Sequence, residues 1–212
     1  MDEQTLASTR RSLHGVAELL LAGPQYAASR SIRLRVTPRG FGTVVEPDLR
    51  VDGVELVSPT ARLFLGGTFA ELARGVGVEA RALRDVYAEG PDVEPDDPVE
   101  VDPDAAAVVA DAFALGDAAM RSFAPDEHPV LWPEHFDVGI SLAEVNYGVS
   151  PGDANLTEPY AYVGPWAPRV GAFWNAPFGA ARPLRAVPDV EALVTFFRGG
   201  AAAAAVDPPR SW

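Results

Sequence analysis

The stretch FDVGISLAEVNYGV, residues 136–149, decides the fold class because its apolar residues alternate as they do in a half-buried strand. From Phe136 to Leu142 every second residue is large and apolar, so these side chains share one face of a strand. Val145–Val149 continues as another strand. Strands with one buried and one solvated face are typical of an antiparallel sheet.

Further strands are predicted on both sides of this stretch. Pro38-Arg39-Gly40 and Asp52-Gly53 are turn sequences, and Asp-Gly suits a tight hairpin because glycine tolerates a positive φ. The other predicted strands are Ser31–Thr37, Phe41–Glu46, Leu49–Val51, Val54–Val57, Pro159–Gly164 and Leu184–Val187.

Helices are predicted before and after each group of strands. Residues 3–22 carry apolar side chains at helical spacing, and Gly23-Pro24 is expected to end that helix. Thr68 with Glu71 three residues later is a capping-box signature. The remaining predicted helices are Phe69–Gly75, the segment from Pro103 to about Phe123 after the Asp102 cap, and the segment after Asp189 through Phe197 with an extension over Ala201–Ala205. Val78–Tyr87 fits a helix or a strand, and we favour the helix.

This order of elements predicts an α+β protein in which antiparallel sheet is packed by helices on one side. It has two parts: a helix plus β-meander over residues 1–90, and a helix, strands and C-terminal helix over residues 105–212. Between them, residues 91–104 are rich in Pro and acidic residues and are expected to form an exposed connector. A chain of 212 residues fits one compact domain overall. The pattern leaves open whether the strands form one sheet or two.

Composition excludes several classes of protein. The net charge is −13, and no dense run of basic residues is present, which argues against nucleic-acid binding and anionic membranes. The chain has no Cys, so disulfides and Cys-ligated metals are excluded. The acidic N-terminus lacks the positive charge of a signal peptide, and the apolar stretches are shorter than the ~20 residues that span a membrane. We therefore expect a soluble cytoplasmic protein.

One quarter of the chain, residues 128–178, concentrates the rarer side chains. It holds all three Asn, two of the three His, three of the four Trp and three of the five Tyr. Loops that carry aromatic, amide and carboxylate groups on a strand scaffold are typical binding sites. The alternative is that such loops only cover one end of a sheet, with Asn satisfying turn backbones.

The leading hypothesis is a pocket for a small, polar, at least partly planar ligand. Aromatic rings would stack on the ligand, while amide and carboxylate groups would bind its polar atoms. The candidate ligand-binding residues are Trp132, His135, Asp137, Asn146, Asp153, Glu158, Tyr160, Trp166, Trp174 and Asn175. Tyr162 belongs to the same aromatic group, and core packing is favoured for at least half of the rings of Trp132, Tyr160, Tyr162, Trp166 and Trp174.

A second hypothesis concerns His135 and Asp137. On a strand that began at His135 the two side chains would share one face, and with Asp153 and Glu158 they could bind a divalent metal through N and O ligands. The protein would then be a metal-dependent hydrolase or lyase. The same His and Asp could instead transfer a proton, or form a hydrogen bond with a purely structural role.

A third hypothesis is a protein-interaction module that forms a homodimer through an exposed aromatic patch. None of the three hypotheses decides whether the protein is an enzyme.

Two blocks of sequence carry a resemblance. The first is SIRLRVTPRGFGT (Ser31–Thr43). The second is LWPEHFDVGISLAEVNYGVSPGD together with EPYAYVGPW and FWNAPFGA (Leu131–Ala180). They resemble a family of uncharacterised proteins from GC-rich actinobacteria. No activity, cofactor or catalytic residue is established for that family, so the resemblance implies no role for any residue of this sequence.

Overall fold

A computed structural model describes residues 2–154 and 156–209, so that Asn155 lies outside the described residues. The protein is α+β, as the sequence predicts, and its strands form one ten-stranded antiparallel sheet. The strands are β1 (Leu34–Thr37), β2 (Gly40–Thr43), β3 (Arg50–Asp52), β4 (Glu55–Val57), β5 (Arg62–Phe64), β6 (Val130–Trp132), β7 (Asp137–Leu142), β8 (Val145–Ser150), β9 (Tyr160–Pro165) and β10 (Ala180–Pro183). The helices are α1 (Glu3–Gly15), α2 (Gly23–Ser29), α3 (Phe69–Val76), α4 (Pro103–Phe123) and α5 (Val190–Val206), with a π-helical segment, Val16–Ala22, between α1 and α2.

The sheet consists of two meanders that meet at their first strands. Its order is β10-β9-β8-β7-β6-β1-β2-β3-β4-β5, and β1 and β6 are antiparallel neighbours. We call residues 3–76, from α1 to α3, the first half, and residues 103–206, from α4 to α5, the second half. Each half has the order helix, five strands, helix. A single sheet therefore resolves the question that the sequence leaves open.

The first helical region differs from its prediction, because the chain stays helical through Gly23-Pro24 and ends only at Arg30, whose φ is +63°. The π-helical segment explains the difference. Proline has no N–H and its ring clashes with the carbonyl four residues earlier, so a wider turn accommodates it. The Gly23 N–H donates to the Glu18 carbonyl, and Pro24 has no N–H to give, which leaves the carbonyl of Leu19 for another partner.

That partner lies in residues 77–102, where the predicted helix Val78–Tyr87 is wrong. The Arg81 N–H donates to the Leu19 carbonyl at 2.9 Å, and the Leu83 N–H donates to the buried Glu18 carboxylate at 3.2 Å. Backbone groups that bond to the π-helical segment in this way do not form a helix of their own, and the segment runs as turns and irregular chain.

The acidic stretch 91–104 is also less exposed than expected. Val93 and Val99 are buried, and the Ala70 N–H at the start of α3 donates to the Pro95 carbonyl. Val93, Val99 and the backbone at Pro95 therefore pack against the first half, so the stretch is not a fully exposed connector. It ends where Asp102 caps α4, with Pro103 as the first helical residue, as predicted.

Other predicted helix ends are confirmed. Thr68 and Glu71 form a complete capping box at α3, and the Asp189 carboxylate caps α5, which continues through the glycine pair to Val206. The predicted strand Leu184–Val187 is wrong, since its first three residues form a 3-10 turn after β10.

One buried amide fixes the entry to the first half. Gln25 in α2 has no exposed surface, and its Nε2 donates to the carbonyls of Ser31 and Arg33 at 2.9 Å each. Its Oε1 accepts from the N–H groups of Val44 and Val45 at 2.8 and 3.2 Å. The end of the first helical region is thereby bonded to the chain before β1 and after β2.

Helices cover one face of the sheet. In the second half, Gly116 of α4 lies against Val138 and Val149, and Gly200 of α5 lies against Val163. Alternate residues of β7, β8 and β9 therefore point away from the helices. Within residues 2–154 and 156–209, no helix combines the length and apolar character needed to cross a bilayer.

Candidate functional site

The site lies on the face of the second half that points away from the helices. The strand register places side chains there from three neighbouring strands: Asp137, Gly139 and Ser141 of β7, Asn146, Gly148 and Ser150 of β8, and Tyr160, Tyr162 and Gly164 of β9. This face combines glycines with carboxylate, amide, hydroxyl and phenol groups, and aligned strands hold all of them.

Asp137 is the central residue of the site. Only 6% of its surface is exposed, yet its Oδ1 has no hydrogen-bond partner among residues 2–154 and 156–209. Its Oδ2 accepts a hydrogen bond from the Tyr162 hydroxyl. Burial raises the pKa of the Asp137 carboxyl above its usual range, although the Tyr162 hydrogen bond and the His135 charge oppose that shift.

Two glycines make room for Tyr162. Gly148 is its direct neighbour in the β8–β9 register, and Gly139 is the next residue across the sheet. A methyl group on Gly148 would overlap the Tyr162 ring, and one on Gly139 would lie 3.3 Å from its hydroxyl. The Tyr162 ring therefore lies directly over the backbone of Gly148 and Gly139, and its hydroxyl reaches Asp137. Burial raises the pKa of the Tyr162 phenol.

A second phenol and carboxylate pair lies beside the first. The Tyr160 hydroxyl donates to Asp153 Oδ2 at 2.6 Å, and Asp153 Oδ1 accepts from the Leu156 N–H at 2.9 Å. Burial and the neighbouring carboxylate together raise the pKa of Tyr160. The loop between β8 and β9 is therefore tied to the face of β9.

The two tyrosine rings and Phe178 form a triangle. The ring centroids are 6.4 Å apart for Tyr160 and Tyr162, 6.2 Å for Tyr160 and Phe178, and 6.3 Å for Tyr162 and Phe178. Phe178 belongs to the turn before β10 and is partly exposed. The triangle forms an aromatic wall next to the two carboxylates.

These groups enclose a cavity of about 430 Å³, which we call the face cavity. Glu89 and His135 also line it, and Glu89 Oε2 lies 3.0 Å from His135 Nδ1. The complete lining is Glu89, His135, Asp137, Asn146, Ser150, Asp153, Tyr160, Tyr162, Gly164 and Phe178. Glu89 comes from residues 77–102, so the chain between the two halves supplies one side of the cavity.

An adjoining cavity of about 650 Å³ shares Glu89, His135 and Asp153 with the face cavity and reaches α1. Arg10 of α1 donates to the Thr157 carbonyl at 3.1 Å, and burial lowers the pKa of its guanidinium. His14, one turn further along α1, donates from Nε2 to the Pro133 carbonyl at 2.6 Å and stacks on Phe136. Burial lowers the pKa of His14 to about 4.

Five of the ten residues predicted to bind a ligand line the face cavity: His135, Asp137, Asn146, Asp153 and Tyr160. The Asn146 side-chain oxygen accepts from the Ser141 hydroxyl at 2.7 Å and from the Trp166 indole at 3.0 Å. Trp166 itself is 63% exposed and does not line the cavity.

The other four predicted residues have structural contacts outside the face cavity. Trp132 pairs with Asp137 across β6 and β7 and packs under the Arg33 guanidinium. The Trp174 indole donates to Asp207 at 2.9 Å. The Asn175 side-chain amide donates to the Ala181 carbonyl and accepts from the Ala181 N–H. Glu158 forms a two-bond ion pair with Arg185, at 2.9 Å for each bond.

The expected arrangement of His135 and Asp137 on one strand face is not formed. The strand begins at Asp137, and Phe136 has a φ of +52°, which sends its ring into the core against Phe41 and Phe113. His135 therefore lies in the preceding turn and pairs with Glu89.

The four proposed metal ligands do not come together as one site. Glu158 is paired with Arg185, and Asp137 is paired with Tyr162. In the part of the chain that the structure describes, no three His, Asp or Glu side chains form a group that could hold a metal ion.

Sequence reasoning left several lining residues out of the candidate list. Tyr162 was in the aromatic group, and its spacing from Tyr160 places both on one strand face. Phe178 lies at the end of residues 128–178, where no sequence pattern distinguishes it as a lining residue. Glu89 carries no local signal, because only the tertiary fold brings it to His135.

No family model, curated protein or solved structure matches the chain.

Proposed function

We propose that the protein binds a small polar ligand in the face cavity. The observation that carries this proposal is Asp137, a buried carboxyl group on the cavity lining whose Oδ1 has no hydrogen-bond partner. Leaving a buried polar atom unpaired costs about 1–3 kcal/mol, so a ligand that bonds to it recovers that energy on binding. Aromatic walls with a few convergent polar groups are also the usual composition of ligand sites.

The surroundings of Asp137 support ligand binding over a purely structural role. Three strands and four connecting segments line the same volume of about 430 Å³, which is in the range of small-molecule sites. Tyr160 and Tyr162 are held by hydrogen bonds to carboxylates, so the ring wall is formed before a ligand arrives. Preorganised groups bind at a lower entropic cost.

The test is a binding screen read by NMR on uniformly ¹⁵N-labelled protein. The panel contains alkylammonium ions, monosaccharides, nucleosides and small carboxylic acids. We expect at least one compound to shift the backbone amides of Gly139, Gly148 and Gly164, which belong to the outer face of the second half. The amides of Gly53 and Gly66 in the first half serve as controls and should not shift.

Asp137→Asn provides the matched variant, with Glu158→Gln as its control because Glu158 lies outside the cavity. A compound that binds in the face cavity should bind more weakly to Asp137→Asn and unchanged to Glu158→Gln. The proposal is wrong if no compound of the panel selectively shifts the three glycine amides, or if Asp137→Asn binds as well as the wild type.

The other two hypotheses gain no such support. A metal-dependent hydrolase or lyase would need a ligand group that the described residues do not form. The homodimeric interaction module stays a prediction, with Trp166 and Phe178 as its exposed aromatic residues.

A further inference from the structure

The lining of the face cavity is rich in hydrogen-bond acceptors and carboxylates. Three acidic side chains line it, Glu89, Asp137 and Asp153, and His135 is the one side chain of basic type beside them. Among the described residues, no Arg side chain lines this cavity, although the chain has 17 Arg. The Arg10 guanidinium, in the adjoining cavity, interacts electrostatically with Asp153 and Tyr160. The three acidic side chains on the lining still outnumber the two basic side chains near them, His135 and Arg10.

Four neutral side chains on the lining carry hydrogen-bond donors, the Tyr160, Tyr162 and Ser150 hydroxyls and the Asn146 amide. The Tyr160 and Tyr162 hydroxyls already donate to Asp153 and Asp137. These tyrosines therefore present to a ligand their ring faces and oxygen lone pairs. The Ser150 hydroxyl oxygen accepts from the Gly152 N–H at 3.2 Å. A ligand that carries its own positive charge suits this lining better than one that needs donors.

The aromatic triangle adds a second, independent preference. Its three centroids lie within 6.2–6.4 Å of one another. A cation within about 6 Å of an aromatic centroid is attracted by the negative ring face, and aromatic walls recognise alkylated ammonium groups in this way. Carboxylates next to the rings strengthen the same preference.

From these observations we infer that the ligand of the face cavity is a small alkylammonium ion, whose charge lies against the Tyr160, Tyr162 and Phe178 rings and is balanced by the cavity carboxylates. This inference rests on the proposed function and names its ligand class. The carboxyl groups of Glu89, Asp137 and Asp153 on the lining supply the balancing negative charge.

Binding is coupled to the protonation of Asp137. Because burial favours its neutral form, a cation that enters the cavity favours its carboxylate, and the proton leaves to solvent. The exchange conserves charge in the cavity. The titratable groups that surround Asp137 are Tyr160, Tyr162, His135, Glu134, Glu89 and Asp153.

The experiment compares choline with 3,3-dimethylbutan-1-ol, a neutral molecule of nearly the same shape, by isothermal titration calorimetry on the full chain. We expect choline to bind at least about tenfold more tightly, since charge-assisted contacts contribute more than about 1.4 kcal/mol. Titrations in two buffers of different ionisation enthalpy, repeated over a series of pH values, should show proton release with choline in the pH range where Asp137 titrates. Ethanolamine and a trimethyllysine peptide, titrated in parallel, distinguish primary from quaternary ammonium and a free ion from one carried on a peptide.

Two variants test the charges. Asp137→Asn and Glu89→Gln should each weaken choline binding at least about threefold, with little effect on the neutral alcohol, while Glu158→Gln should bind choline as the wild type does. Glu89 is well exposed, so its variant tests the inference even if Asp137→Asn fails to fold.

The outcomes separate this inference from the proposed function. If the neutral alcohol binds as tightly as choline, or if sugars or nucleosides shift the glycine amides and no alkylammonium ion does, the cavity binds ligands but the ligand class is wrong. If nothing in either set binds, the proposed function fails as well.

Discussion

The two halves of the sheet have the same order of elements but differ in the face that points away from the helices. In the first half that face carries exposed ion pairs, in which Arg62 contacts Asp52 and Glu55, and Arg39 lies 3.6 Å from Asp52. In the second half the equivalent face carries Asp137, Tyr160 and the glycines under Tyr162. The same framework thus supports a solvated surface in one half and a cavity in the other.

Strand length explains part of this difference. Strands β7, β8 and β9 have six residues each, whereas the first-half strands have three or four. Longer strands place more residues on the outer face, and Asp153 of the β8–β9 loop and Phe178 of the turn before β10 lie beside that face. The comparison shows that the site depends on strand length and loops, and the order of elements alone does not create it.

The largest expected effect tests how the first half is held together. Gln25→Ala removes four hydrogen bonds to backbone groups from a fully buried position. We expect the free energy of unfolding, measured by urea denaturation, to fall by about 4 kcal/mol, because buried backbone groups lose their partners. Gln4→Ala, at an exposed position of α1, is the control. A loss below about 1 kcal/mol for Gln25→Ala would show that water replaces the amide.

The next largest effect on stability concerns Gly148, which lies under the Tyr162 ring in the face cavity. Gly148→Ala places a methyl group in the volume of the Tyr162 ring, which must move away from Asp137. We expect a loss of about 3 kcal/mol in unfolding free energy, from overpacking and a lost hydrogen bond, together with weaker ligand binding. Gly66→Ala in the first half is the control, since a methyl group there meets Phe64 only at 3.4 Å. Equal stabilities of the two variants would contradict the role of Gly148.

A third prediction concerns the contact between the halves, where His14 of α1 stacks on Phe136. The pKa of His14 falls to about 4 in the folded protein, below its unfolded value of 6.5, so folding favours the neutral ring. The stability from this site is complete above pH 6.5 and is lost as the pH falls towards 4. Because the ring is partly accessible, we expect a loss of about 2 kcal/mol that His14→Phe abolishes.

Chemical denaturation at a series of pH values checks this prediction, with His128→Gln as the control because His128 is exposed. The assignment to His14 is wrong if His14→Phe loses as much stability over this range as the wild type does.

The smallest effect compares carboxyl groups on the outer faces of the two halves. The pKa of Asp137 is raised in the folded protein, so its ionisation opposes folding as the pH rises above the unfolded value. Asp137→Asn does not ionise, so its free energy of unfolding should rise relative to that of the wild type as the pH goes from acidic to neutral. Asp52→Asn in the first half should instead lose up to about 1 kcal/mol at neutral pH through its surface ion pairs. A change of the same sign in both variants would remove this distinction between the faces.

Much of the fold was predictable because it depends on local patterns. Alternation indicated β7 and β8, and caps at Thr68, Asp102 and Asp189 marked the starts of three helices. The predicted helix end at Gly23-Pro24 is wrong because the π-helical segment accommodates the proline. The carbonyl of Leu19, which Pro24 cannot bond, accepts a hydrogen bond from the N–H of Arg81, 62 residues later in the chain. No local pattern contains that contact.

The candidate site was predictable to the extent that its residues lie on adjacent strands. Asp137, Asn146 and Tyr160 share one face because strand alternation and the β-meander place them there. The loop residues Glu158, Trp174 and Asn175 lie in the same dense segment but bond to Arg185, Asp207 and Ala181. Composition identified the segment, but it could not separate side chains that line the cavity from those that hold its loops in place.

The positive φ of Phe136 has a consequence for how this site tolerates changes in chain length. Phe136 has a positive φ and lies outside β7, which begins at Asp137. Pairing of β7 with β6 and β8 therefore determines which face of the sheet each side chain from Asp137 onward lies on. A residue inserted into or deleted from the turn before Phe136 would move His135 and leave Asp137 on its side of the sheet. The strand residues of the cavity are therefore unaffected by length variation in the turn, whereas the position of His135 can vary independently of the strands.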